Sequence, residues 1–89
     1  MANMFQFSVV TAERTVFEGE VSYVDLPTPY GSVGILARHA PMLCAVEKGI
    51  VRCTLEDGGV VRILVGDGVA SIADNEVTVL ASDGNVLTE

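Results

Sequence analysis

The sequence predicts an all-β domain. Apolar residues recur with a period of two almost throughout, no segment keeps i, i+3, i+4, i+7 spacing over the roughly 10 to 12 residues a helix needs, and turn-forming clusters return at short intervals. Phe5, Phe7 and Val9 share one phase and Gln6 and Ser8 the other, which predicts an opening strand half covered by core. The stretch from Val10 to Arg14 turns the chain. Thr15 to Glu18 reads as a short second strand, broken by Gly19, and Glu20 to Leu26 as a third. Within the third, Val21 and Tyr23 lie in one phase and Val24 and Leu26 in the other. A bulge near Tyr23 or Val24 reconciles them, because one extra residue moves every later side chain to the opposite face.

Pro27-Thr28-Pro29-Tyr30-Gly31-Ser32 reads as a loop, since two prolines within three residues remove two ladder donors. Gly31 and Gly34 frame a short extended piece ending in Ile35-Leu36, and Ala37-Arg38-His39-Ala40-Pro41 forms a second irregular segment. Two loops are therefore expected to flank one short strand. Beyond Met42, turn signals stand at Glu47-Lys48-Gly49, Glu56-Asp57-Gly58-Gly59, Gly66-Asp67-Gly68, Ala73-Asp74-Asn75-Glu76 and Ser82-Asp83-Gly84-Asn85. Between them lie Ile50 to Leu55, Val60 to Val65, Val69 to Ile72 and Val77 to Ala81, rich in β-branched residues. Short strands at this spacing indicate a sandwich or a barrel.

At 89 residues the chain is one domain, and most of its 49% apolar residues must serve a single core. Twelve Asp and Glu against five Lys and Arg give a net charge of -7, which repels phosphate backbones and anionic headgroups. Neither nucleic acid nor direct lipid insertion is expected. No apolar run approaches the ~20 residues of a membrane span. The N-terminus carries no basic residue before its first apolar positions, unlike a secretory signal, so a cytoplasmic start is expected. Cys44 and Cys53 lack CxxC spacing, and only one histidine is present; no metal site is expected, and both thiols read as small reduced residues of a sheet core.

Catalytic motifs are weak. His39 is the sole imidazole, no GxSxG elbow accompanies it, and Gly66-Asp67-Gly68 lacks the third glycine and the helix of a dinucleotide fingerprint. The acidic pairs Glu18 with Glu20 and Asp74 with Glu76 lie in turn contexts and read as solvated surface. Arg38 beside His39 places a cation and a titratable ring on a loop stiffened by Pro41, which suits a docking surface held by a rigid scaffold.

The ordered set of Val9 to Arg14, Val16-Phe17-Glu18-Gly19, Leu26-Pro27, Gly31, Gly34-Ile35-Leu36, His39-Ala40-Pro41-Met42-Leu43, Gly49-Ile50-Val51-Arg52, Gly66-Asp67-Gly68-Val69 and Asn75 to Ala81 resembles the epsilon subunit of bacterial F-type ATP synthases. The resemblance covers nearly all of the chain. It implies a sandwich of about ten strands that binds the gamma subunit through an apolar patch and meets the ring of c subunits through two loops. The ring-facing residues it implies are Tyr30, Gly31 and Ser32 on the first loop and Arg38, His39, Ala40, Pro41 and Met42 on the second. The implied role is that of a noncatalytic rotor component in proton-coupled ATP synthesis, peripheral on the cytoplasmic face of the bacterial cell membrane. No cofactor is expected. This sequence departs from the family in having Ala37-Arg38 where Pro-Gly usually precedes the histidine, and Ser32 where an acidic residue often stands. It also ends near its last strands, without the C-terminal helical hairpin of many members, so no nucleotide site is expected in it. Two other readings are a free-standing sandwich that binds a peptide or saccharide along a sheet edge, and a small hydrolase pairing His39 with a carboxylate such as Asp25.

Overall fold

In the computed structural model, which describes residues 3–87, nine strands alternate with tight turns. They are β1 (Phe5–Val10), β2 (Thr15–Thr28), β3 (Gly31–Ile35), β4 (Met42–Val46), β5 (Gly49–Leu55), β6 (Val60–Val65), β7 (Gly68–Ala73), β8 (Glu76–Ala81) and β9 (Gly84–Leu87). No helix occurs among the described residues, and hence none long and apolar enough to cross a membrane.

The hydrogen-bonded path runs β4-β7-β8-β1-β2-β5-β6-β9, with β3 added on β2. All pairs are antiparallel except β1 with β8. The 14-residue β2 organises the whole. Its first half pairs with β1 from Thr15 to Val21, and its second half pairs with β5 and β3 from Val21 to Thr28. One layer therefore comprises β4, β7, β8, β1 and the start of β2; the other comprises β3, the end of β2, β5, β6 and β9. Counted in both layers, β2 gives five strands to each, which is how nine strands make the ten-stranded sandwich expected from the resemblance.

Between the layers, period-two alternation delivers Phe5, Phe7 and Val9, Val51 and Cys53, and Val77 and Val79 to one buried core. The Phe7 and Phe17 rings lie 5.8 Å apart at 44°. The expected bulge is present one residue before Tyr23: the β2–β5 register slips between Val21 and Tyr23, and the Ser22 hydroxyl donates to the Thr54 carbonyl at 3.4 Å. The slip lets Val21 and Val24 both face inward although three positions separate them.

Four readings change. Gly19 does not end a strand; it pairs with Phe7 within the β1–β2 ladder, and a Cβ there would meet the Phe17 ring only in ordinary contact, at 3.6 Å. Pro27 and Thr28 belong to β2, opposite Ser32 and Gly31, rather than to a loop. Proline is tolerated there because the β5 ladder already ends at Asp25 with Arg52, while the Pro27 carbonyl still accepts the Glu47 N–H at 2.9 Å. Met42–Val46 is a strand in its own right, a short edge strand paired with β7. Gly84 and Asn85, read as turn residues, pair with Val65 and Leu64 at the start of edge strand β9.

Both cysteines are free, Cys53 buried and Cys44 half-buried. Burial pushes the Cys53 thiol up from 9.0 to about 11, partly opposed by a hydrogen bond with the Val61 backbone, and burial also raises Cys44. Because the folded state holds the Cys53 proton more tightly, its contribution is complete below pH 9.0 and is lost as pH rises toward about 11. Denaturant titrations should show the wild type losing more stability than Cys53→Val across that window. Parallel losses in the two proteins would contradict this assignment.

Candidate functional site

The two candidate loops sit at opposite ends of β3. Its five residues separate them by about 13 Å at roughly 3.3 Å per step, so they line one edge of the sandwich rather than converge on a pocket. The first loop is the tip of the β2–β3 hairpin. Pro29 presets a negative φ, and Gly31 follows at φ 110°, a left-handed value that glycine adopts without penalty. Buried Thr28 ties the turn together: its hydroxyl donates to the Gly31 carbonyl at 2.5 Å and accepts the Tyr30 N–H at 3.2 Å. This clamp leaves the Tyr30 side chain 98% exposed, beside an apolar groove of about 300 Å³ shared with Val33, Leu43, Cys44 and Ala45. Ser32 is exposed opposite Pro27.

The second loop, residues 36–41, is fixed from outside. Arg38 has φ 63°, a conformation uncommon for a residue with a Cβ, and its N–H donates to Asn75 Oδ1 at 2.7 Å. Its guanidinium reaches Asn3 Oδ1 at 3.4 Å. His39 Nδ1 lies 2.7 Å from the Ala40 carbonyl oxygen. Ala40 and Pro41 are exposed, whereas Met42 turns inward and packs against the core. Its neighbour Leu43 points outward and is 74% exposed.

Among the described residues, the two loops bring no base to a nucleophile. The cleft beside His39 is lined by Phe5, Ile35, Ile72 and Val77 among others and is too shallow to admit a water molecule. Asp25 lies elsewhere, between Gly34 of β3 and Arg52 of β5. The Glu18 and Asp74 pairs stand on exposed positions, as read from sequence, but Glu18 and Glu20 lie within β2 opposite Ser8 and Gln6, and Glu76 opens β8, rather than in turns.

The feature the sequence reading did not locate is an outward apolar row. Ala45 pairs with Val69, Val69 with Leu80, and Leu80 with Val10, so one row crosses β4, β7, β8 and β1 on the outer face of their layer. Val69 is 47% and Leu80 58% exposed, and the next row, Leu43, Ser71, Thr78 and Ser8, is uncharged. Part of the signal was available: Val69 and Leu80 fall in the outward phase of β7 and β8, where a fully solvated strand would carry a polar residue. The opposite outer face differs, with Asp25, Arg52 and Arg62 successive across β2, β5 and β6.

A family model described as the β-sandwich domain of the ATP synthase delta/epsilon chain matches residues 4–84. The chain is 43% identical over 75 residues to the chloroplastic ATP synthase epsilon chain of Piper cenocladum, covering 84% of this chain and 56% of that one. To the ATP synthase epsilon chain of Desulfitobacterium hafniense it is 40% identical over 81 residues, covering 91% and 61%. It thus spans little more than half the length of these relatives. In solved structures, a chain of the Euglena gracilis mitochondrial ATP synthase, OSCP/F1/c-ring in rotational state 1, superposes with a TM-score of 0.88 at 17% identity, covering 94% of this chain and 54% of that one. A chain of the Tetrahymena thermophila mitochondrial ATP synthase central stalk and c-ring gives 0.71 at 16%, covering 89% and 63%. At these identities the two superpositions establish the fold.

Proposed function

Because the chain belongs to the ATP synthase delta/epsilon family through its β-sandwich domain, we propose that it is a noncatalytic rotor subunit linking the gamma subunit to the ring of c subunits. The observation that carries this reading is the family match over residues 4–84, a range that includes both loops and the outward apolar row. An exposed apolar row without charges fits a protein partner, since such a surface gains by leaving water while a lone charge in it would not. We assign that row to gamma. The exposed loop residues Tyr30, Gly31, Ser32, Arg38, Ala40 and Pro41, with half-buried His39, offer backbone groups, hydroxyls and one cation to the polar loops of the ring; Met42 supports them from the core side. In this role the protein sits on the cytoplasmic face of the membrane as a peripheral part of the ATP synthase and performs no reaction itself.

Affinity purification of the tagged protein from its own cells tests the reading. Gamma recovered at equal stoichiometry, with c subunits, is the expected result. Recovery without gamma overturns it.

Arg38 gives a finer test. Reversing its charge in Arg38→Glu leaves the backbone demand at this position similar but should weaken ring binding about tenfold at low salt, or ~1.4 kcal/mol, with the difference shrinking as salt screens the loop. Affinity measured on isolated c rings at two ionic strengths reads this out. An unchanged affinity would remove Arg38 from the interface.

A further inference from the structure

We propose that Asn75, on the β7–β8 turn, is the positioning residue that holds the partner-facing loop 36–41 in its docking conformation. The inference rests on the rotor reading for what the loop binds, and on geometry for how it is held.

Asp74 and Asn75 form a two-residue turn with φ 54° and 60° between paired β7 and β8. Two successive left-handed residues are what a type I′ hairpin needs, and Asp and Asn are among the few side chains that accept them. The turn therefore needs nothing from the rest of the molecule, and its side-chain amide is free to bind elsewhere. Asn75 Oδ1 accepts the Arg38 N–H at 2.7 Å, and Asn75 Nδ2 donates to the Met4 carbonyl at 2.9 Å. The orientation of the amide is forced, since its oxygen must face the donor and its nitrogen the acceptor. The Asn75 carbonyl in turn accepts the Gln6 N–H at 3.2 Å. One residue thus ties the start of β1, the β7–β8 turn and the loop after β3 into a single bracket.

The bracket acts at the point where the loop most needs it. Arg38 stands left-handed where the resembled family has glycine, so the backbone gives up the freedom that glycine would have there at no steric penalty. A hydrogen bond to its N–H favours that conformation over the alternatives in which the N–H turns to water. His39, Ala40 and Pro41 follow directly, so their placement depends on the φ of Arg38.

Two variants separate this role from general support of the fold. Asn75→Gly keeps the turn, because Asp-Gly is a favoured type I′ pair, and removes both side-chain hydrogen bonds. Asn75→Asp also loses the donor to Met4 but retains an acceptor for Arg38. In the full chain, hydrogen exchange at the Arg38 amide should accelerate roughly fivefold to tenfold in Asn75→Gly and stay within about twofold of wild type in Asn75→Asp. Affinity for the gamma–c-ring complex should follow the same order. If both variants weaken binding equally, or if Asn75→Gly binds and exchanges like wild type, the proposal is overturned. Wild-type protein that does not bind the complex overturns the rotor reading instead, and the exchange comparison then decides the bracket on its own.

Discussion

Placing glutamate at position 80 should cost at least about 100-fold in affinity for the gamma subunit while leaving the domain folded. Leu80 is more than half exposed and sits mid-row between Val69 and Val10, so in the free protein a carboxylate there meets water. In a complex whose apolar partner surface covers the row, the same carboxylate is stripped of water. Removing an unpaired charge from water costs several kcal/mol, and ~2.8 kcal/mol already amounts to 100-fold. Leu80→Ser, which loses apolar area without adding charge, should cost about tenfold. Titrating labelled gamma with each variant, alongside melting curves, distinguishes a docking defect from unfolding. Full affinity in Leu80→Glu would move gamma off this face.

The largest effect on stability is expected at Gly68. This residue pairs with Ala81 at the end of the β7–β8 ladder, and a Cβ there would strike the Leu80 carbonyl oxygen and come within 2.8 Å of the Ala81 Cα. Both obstacles are backbone, so no side-chain rotation relieves them, and the two strands must separate. Gly68→Val should therefore destabilise by about 3 kcal/mol, equivalent to a fall of roughly 12 to 24 °C in Tm for a domain of this size. Gly58, left-handed at φ 90° with open space around it, is the informative contrast. Gly58→Ala meets only the conformational penalty, about 1 kcal/mol. Thermal denaturation followed by circular dichroism would show the two apart, and a Gly68→Val protein melting within a few degrees of wild type would refute the steric argument.

Alternation made the strands legible where each has one wet and one dry face. β1, β5 and β6 follow their sequence reading within a residue at either end, and the phase conflict in β2 announced its bulge. What sequence hid was the double service of β2. Gly19 and Pro27 are strand breakers on average, but here one is held opposite Phe7 in a continuous ladder, and the other lies beyond the last pair of the neighbouring ladder. Those are tertiary facts with no local signature. The candidate loops were legible from their prolines and glycines, because these residues restrict or free the backbone in known ways. The left-handed Arg38 was not, since nothing in its side chain asks for that conformation and its partner Asn75 lies 37 positions away. The outward apolar row lay half in view: apolar residues in the outward phase of β7 and β8 were present, but only the register shows that Ala45, Val69, Leu80 and Val10 stand abreast.

The long strand shared by both layers has a mechanical consequence. In a sandwich whose leaves touch only through side chains, torque on one leaf reaches the other by friction across an oily seam, and the leaves can creep. Here one strand of fourteen residues passes from leaf to leaf, so a twist that β1 hands to its first half through their shared ladder reaches the Tyr30 hairpin, at its far end, along covalent bonds. A part built this way joins its two leaves through backbone as well as through side chains.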